Sequence, residues 1–240
     1  MIFRYIDYRK FLNEIKKRGK TQLFKKWYNE KVFLIRHDVD FDISLAYELA
    51  LIEKEENVIS TFFILISSSH YNVLNSNNRR LLKEILYMGH EIGLHFDPSL
   101  YNENIDFYFE KEVEILNFAI GQKINSISLH NPSVHGTYPL FKNYVNAYDP
   151  KLFNDQNYLS DSRMLFSKKN PYKFLDKIDN SMLQILLHPM HYSLSGKGYD
   201  YIMSKIIKKK IYEIHDSFKV NSTYVKDVGN DLFAVVKKFK

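Results

Sequence analysis

Cysteine is absent from the 240 residues. That excludes disulfides and thiolate metal sites, so any metal must be held by His, Asp or Glu. Missing too is any apolar run approaching the ~20 residues of a membrane helix. The first residues, Phe3-Arg4-Tyr5-Ile6-Asp7-Tyr8 after Met1, mix charge with aromatics and lack the apolar stretch of a signal peptide. A cytoplasmic chain without a transmembrane segment is the expectation. There is no repeat, no low-complexity segment and no linker. Basic residues exceed acidic ones by 34 to 28, a formal net charge of +6. Such a balance would suit an anionic partner, but the cations are scattered and no nucleic-acid motif is present. Solubility is the expected role of the charge, and no nucleic-acid partner is expected.

What is present is an alternation of apolar runs with helical patterns. Hydrophobic residues make up 45% of the chain, enough for a sizeable core. One domain over 1–240 is expected, with its core at about 31–218 and a helix at 5–17 packed outside. Strands are predicted at Val32–His37, Ser60–Ile66, Glu91–Phe96 and Ile124–Leu129. Between them run helices over Ile43–Glu56, Arg79–Met88 and Phe107–Ile120. The first carries Leu45, Leu49 and Ile52 at helical spacing, with Glu48, Glu53 and Glu55 as its charges. Beyond Asn131 the pattern weakens, leaving Tyr158–Ser160 and Leu183–Leu187 as later strands and Tyr201–Phe218 as a long amphipathic helix. Such an order predicts an α/β fold with mainly parallel strands, whose active site lies at the strands' carboxyl ends.

Candidate chemistry sits at those ends. Asp38 and Asp40 in LIRHDVDF share one face of an extended segment, because side chains alternate with period two. One is suited to a divalent ion and the other to taking a proton from water. A cap for the next helix is the plain alternative, and Asp42 fits that role better. His95 and Asp97 in GHEIGLHFD repeat the geometry after a later strand. His130 follows the fourth strand and His188 follows LQILL, each just before or near a proline. Their ordinary pKa suits them to metal ligation or proton donation. Asp161, in YLSDS, is placed to orient a catalytic His or simply to make a turn. His90 fits a turn, His135 and His191 loops, and His70 and His215 the surface. The KIIKKK run at 205–210 reads as the solvated face of the last helix, with an anionic lipid carrier as the lesser alternative.

Taken in order, LIRHDVDF, STFFIL, GHEIGLHFD, ISLHNP, YLSDS and ILLHP resemble the polysaccharide deacetylase (NodB-homology) superfamily. Within it, the chain is most similar to a divergent WbmS-like branch from surface-polysaccharide biosynthesis clusters. The resemblance runs from about Phe33 to Tyr192. It implies a distorted (β/α) barrel and metal-dependent removal of an N- or O-acetyl group from a carbohydrate, whether polymer precursor, lipid-linked sugar or nucleotide sugar. The implied base is Asp38, and the implied general acid is His188. The implied metal is a divalent ion, with zinc expected, bound by Asp40 and His95. Two departures stand out. Val39 occupies the usual place of the ligand Asp, and Ser99 that of a second His. His130 or Asp97 would supply the missing ligand. A metal-free relative that binds carbohydrate, or hydrolyses another C–N bond, is the rival reading.

Overall fold

The structure is a computed structural model that describes residues 3–28, 30–166, 169–179 and 181–238. Its contacts separate two compact units, Met1–Gly196 and Lys197–Lys240.

The first unit alternates strands and helices: α1 (Tyr5–Arg18), β1 (Phe33–Val39), α2 (Ile43–Glu55), β2 (Thr61–Leu65), α3 (Ser76–Tyr87), β3 (Glu91–Phe96), α4 (Ile105–Ile120) and β4 (Ser126–Leu129). Shorter elements follow: α5 (Pro132–His135), β5 (Val145–Asn146), β6 (Tyr158–Ser160), α6 (Pro171–Leu175) and β7 (Leu183–Leu187). The seven strands form one sheet in the order β5-β4-β3-β2-β1-β7-β6, with every neighbouring pair parallel. Every residue of β1, β2, β3, β4 and β7 is buried. Continuous apolar runs of this kind belong to parallel sheets covered on both faces.

The sheet is curled. In that order β7 lies five strands from β5, roughly 24 Å away in a flat sheet at ~4.8 Å per strand. Yet Gln184 Nε2 on β7 donates to the carbonyls of Ala147, next to β5, and Leu152, at 3.0 and 2.8 Å. The Ser128 hydroxyl on β4 likewise reaches Asp38 on β1 at 3.4 Å. The fold is thus an α/β distorted barrel of parallel strands, with no β5–β6 pairing among the described residues. Its interior is closed at one end by Phe24, Leu34, Phe63, Ala147 and Met182. Gly93 is needed there, since a Cβ would lie 2.6 Å from the Phe63 ring and 2.7 Å from the Ser126 carbonyl.

Helices cover the outer faces. Tyr8, Phe11, Leu12 and Ile15 form the fully buried stripe of α1 at the helical spacing that an amphipathic helix requires. Burial of each Phe or Leu of that stripe is worth about 1.5–3 kcal/mol. Behind them lies a buried polar cluster around Glu53, one of the charges of the predicted helix. Glu53 is fully buried, faces His37 Nε2 at 2.8 Å, accepts from the Ser60 hydroxyl at 2.5 Å and is bonded by the Tyr8 hydroxyl. His90 accepts from Ser60 N at 3.2 Å and faces the Ala50 carbonyl at 3.2 Å. Asp42 caps α2 through Ser44 N at 2.8 Å.

A second buried carboxyl gives a pH-dependent expectation. Glu112 on α4 accepts a bond of 2.6 Å from the Tyr101 hydroxyl, and its other oxygen has no partner. Burial, only partly offset by that hydrogen bond, raises its pKa from the ordinary 4.5 to about 7. The folded state then binds the proton more tightly than the unfolded state, so stability falls as pH rises from about 4.5 through 7. Glu112→Gln removes that loss. It is expected to be more stable than the native chain by about 3 kcal/mol at pH 8, from ~1.4 kcal/mol per pKa unit, and to lose the advantage by pH 4.5. Denaturant melts across that range decide it, and parallel curves would rule it out.

The second unit comprises α7 (Tyr199–Phe218), α8 (Ser222–Val228) and α9 (Leu232–Lys238). The expected long amphipathic helix at Tyr201–Phe218 is α7. His215, expected at the surface, is buried at 2% exposure with Nδ1 2.7 Å from the Tyr224 hydroxyl, because α8 folds back after the turn that Asn221 caps.

Candidate active site

The carboxyl ends of five parallel strands converge on one pocket. Along β1 the residues Leu34, Arg36 and Asp38 share the inner face, and Asp40 continues the series just beyond the strand. His95 is the inward residue near the end of β3. His130 follows β4, its backbone N–H bonded to the Phe96 carbonyl at 2.8 Å. Asp161 follows β6 and His188 follows β7. Asp38, Asp40, His95, His130 and His188 all line a cavity of about 230 Å³.

Three of these side chains form a compact donor set. One ligand atom from each of Asp40, His95 and His130 lies within 4.8 Å of the other two. His95 Nε2 is 3.4 Å from Asp40 Oδ1, and His130 Nδ1 is 3.6 Å from that oxygen and 3.3 Å from His95 Nε2. Asp40 Oδ1 is buried without a hydrogen-bond partner. An unpaired buried carboxylate oxygen aimed at two imidazole nitrogens fits a divalent ion, and an N,N,O set suits zinc. Burial alone would raise the Asp40 pKa, but His130, His95 and the charge of His188 hold it well below the carboxylate range. Asn131 supports the arrangement: its amide lies 2.9 Å from His130 Nε2, which leaves Nδ1 facing Asp40. Its backbone is left-handed, with φ 43°, a conformation Asn tolerates better than most residues.

Asp97 is not drawn into this group. Its Oδ1 accepts from Ser99 N at 3.0 Å and the Ser99 hydroxyl at 2.6 Å, capping the 3₁₀ turn Pro98–Leu100. Of the two candidates for the third ligand, the structure gathers His130. Ser99 is the partner that occupies Asp97.

A second pair faces the first. His188 Nδ1 lies 2.6 Å from Asp161 Oδ1, and its backbone N–H donates to Asp161 Oδ2 at 3.0 Å. Burial disfavours the charged imidazole, but the Asp161 carboxylate outweighs it and raises the His188 pKa to about 9. His188 Nε2 is 4.0 Å from Asp40 Oδ2. His191, read from the sequence as a loop residue, does follow β7 but is buried, with Nδ1 3.3 Å from Asp161 Oδ2. The ring is turned inward by the 3₁₀ turn Pro189–His191.

Sequence reasoning missed Arg36. Its guanidinium is fully buried and donates to Asp38 Oδ2 at 3.0 Å, Gln184 Oε1 at 3.0 Å and the Tyr148 hydroxyl at 2.8 Å. Burial opposes its charge, but Asp38 outweighs that and holds its pKa above the usual range. The signal was available: an Arg inside an apolar strand, two residues before Asp38, must share its face. Also missed was an aromatic wall of Tyr138, Tyr148, Phe153 and Tyr158, whose successive rings are 4.8–5.8 Å apart.

No family model matches the chain, and no curated protein matches it. Among solved structures it is similar to the wild-type BA3943 pseudoenzyme of the CE4 family from Bacillus anthracis, at 18% identity and TM-score 0.42, over 75% of this chain and 62% of that one. It is similar to the peptidoglycan deacetylase PdaC from Bacillus subtilis at 15% identity and TM-score 0.44, over 82% of this chain and 98% of that one. A third is the Xyl-CE4 domain of a xylanase from a Trinervitermes trinervoides hindgut metagenome, at 18% identity and TM-score 0.46, covering 77% and 85%. The chain spans less than two thirds of the BA3943 structure's length. These likenesses are distant, at 15–18% identity.

Proposed function

We propose that this chain is a zinc-dependent hydrolase that removes an N- or O-acetyl group from a carbohydrate, such as a lipid-linked or nucleotide-activated sugar used in building a surface polysaccharide in the cytoplasm. The observation that carries the reading is the unpaired buried Asp40 Oδ1 facing His95 and His130, in the same pocket as Asp38 and the Asp161–His188 pair. The order of sequence motifs points the same way.

Asp40, His95 and His130 are the residues that would hold the ion. Bound there, a divalent ion supplies Lewis acidity toward an acyl carbonyl and acidifies water. Asp38 is the base: Arg36 fixes one of its oxygens and Ser128 approaches the other, so its carboxylate stands ready at the pocket floor. His188 is the acid. With its pKa near 9 it carries a proton at neutral pH, and Asp161 holds the ring so that Nε2 faces the pocket. Donation from that atom to the leaving amine or alkoxide completes the cleavage. The aromatic wall offers ring faces to a sugar.

The test is metal content and acetate release. Protein purified without a His tag is expected to carry one zinc per chain and to gain about 2.7 kcal/mol of stability at zinc a hundredfold above its Kd. It should release acetate from acetylated amino sugars or O-acetylated sugars. Protein without metal, and without a thermal shift on adding zinc, would favour a metal-free carbohydrate binder, the reading that Ser99 in place of a second His supports.

A further inference from the structure

The net charge is concentrated in the second unit. Residues Lys197–Lys240 hold ten lysines and no arginine against five Asp and Glu, so they carry +5 of the chain's +6. The same segment carries an apolar surface. Ile207, Ile211, Ile214 and Phe218 recur at i, i+4, i+7 and i+11, which sets them in one stripe along α7. Helices of this pattern ordinarily bury the stripe. Here Ile207, Ile214 and Phe218 are 56%, 52% and 51% exposed, and the buried residues of α7 are Ile202 and His215 instead.

The charges are ordered around that stripe. At about 100° per residue, Lys208 and Lys210 flank it on either side, while Lys205, Lys209, Glu213 and Asp216 fall toward the opposite face, with Lys210 reaching Glu213 at 2.7 Å. Lys205 and Lys208 have no carboxylate partner among the described residues. Their ammonium groups lie over the rings of Tyr201 and Tyr212, at 5.6 and 5.8 Å from the centroids. Among the described residues no helix is long and apolar enough to cross a membrane. An exposed apolar stripe edged by lysines, on a helix that does not span, suits the boundary between headgroups and acyl chains. Long lysine stems let the ammonium reach the phosphates while the stripe goes deeper.

We propose that α7 docks the protein on an anionic membrane surface, with Ile207, Ile214 and Phe218 inserted and Lys208 and Lys210 against lipid phosphates. A second copy of the chain is disfavoured as the occupant, because pairing stripes would bring two +5 segments together. A nucleic acid would meet the lysines but leave the stripe unused.

Co-sedimentation of the full chain with vesicles tests this. Binding to mixed phosphatidylglycerol–phosphatidylcholine vesicles is expected to be at least ~10-fold tighter than to phosphatidylcholine alone and to weaken with salt. Ile214→Ser with Phe218→Ser should reduce partitioning ~10-fold or more, and Lys208→Glu with Lys210→Glu further still, each with an unchanged far-ultraviolet spectrum. Equal binding to both vesicles, no binding, or variants that partition like the native chain would overturn the proposal. So would a dimer broken by Ile214→Ser, or tight duplex DNA binding, in a protein that ignores vesicles.

Discussion

Asp38→Asn is expected to keep one zinc per chain and to lose acetate release by at least ~100-fold, the lower end of what a positioned base contributes. Asp38 supplies no atom to the compact set formed by Asp40, His95 and His130, so the ion should stay. Asn keeps the shape and still accepts from Arg36, but it cannot take a proton. Metal stoichiometry and acetate release are measured on the same preparation. Retained zinc with native-like turnover would remove Asp38 as the base. Loss of zinc would instead make Asp38 part of the ion's support, a different role for the same 3.6 Å approach to His95 Nε2.

Much of the fold was legible because each signal was local. VFLIRH, STFFILI and EIGLHF are short apolar runs separated by helical patterns, and they appear as β1, β2 and β3, with β1 running on to Val39. The two-residue β5 left no such pattern. Barrel closure was not legible either, since it depends on Gln184 reaching Ala147 and Leu152 across a long stretch of chain. The burial of Glu53 was not legible, because charge on a helix usually marks its solvated side. Its burial is compensated by His37, Ser60 and Tyr8, which lie elsewhere in sequence. At the site, strand ends placed Asp38, Asp40, His95, His130 and His188 in one pocket, with Asp161 bonded behind His188. Asp97 shares the period-two position of His95, but a loop residue with a serine two positions on is open to local capping. Only geometry separates that role from ligation.

Arg36→Leu is expected to destabilise the metal-free protein by about 3–5 kcal/mol, the usual cost of removing one partner of a buried ion pair. At about 2–4 °C per kcal/mol for a chain of this size, the melting temperature should fall by roughly 6–20 °C. The cost has three parts: Asp38 keeps a buried charge without its cation, and Gln184 Oε1 and the Tyr148 hydroxyl lose their donor. Asp38→Asn alone leaves the opposite charge stranded, because Asp38 is, among the described residues, the carboxylate bonded to Arg36. The double variant strands neither charge, so its loss should be smaller than the sum of the two by at least ~2 kcal/mol. Denaturant melts of the four proteins measure this coupling directly. Additive losses would mean that the pair does not hold its charges in common. Strong coupling would tie the stability of the barrel interior to the carboxylate proposed as the base, so that β1 serves both through Arg36 and Asp38, two residues apart on one face.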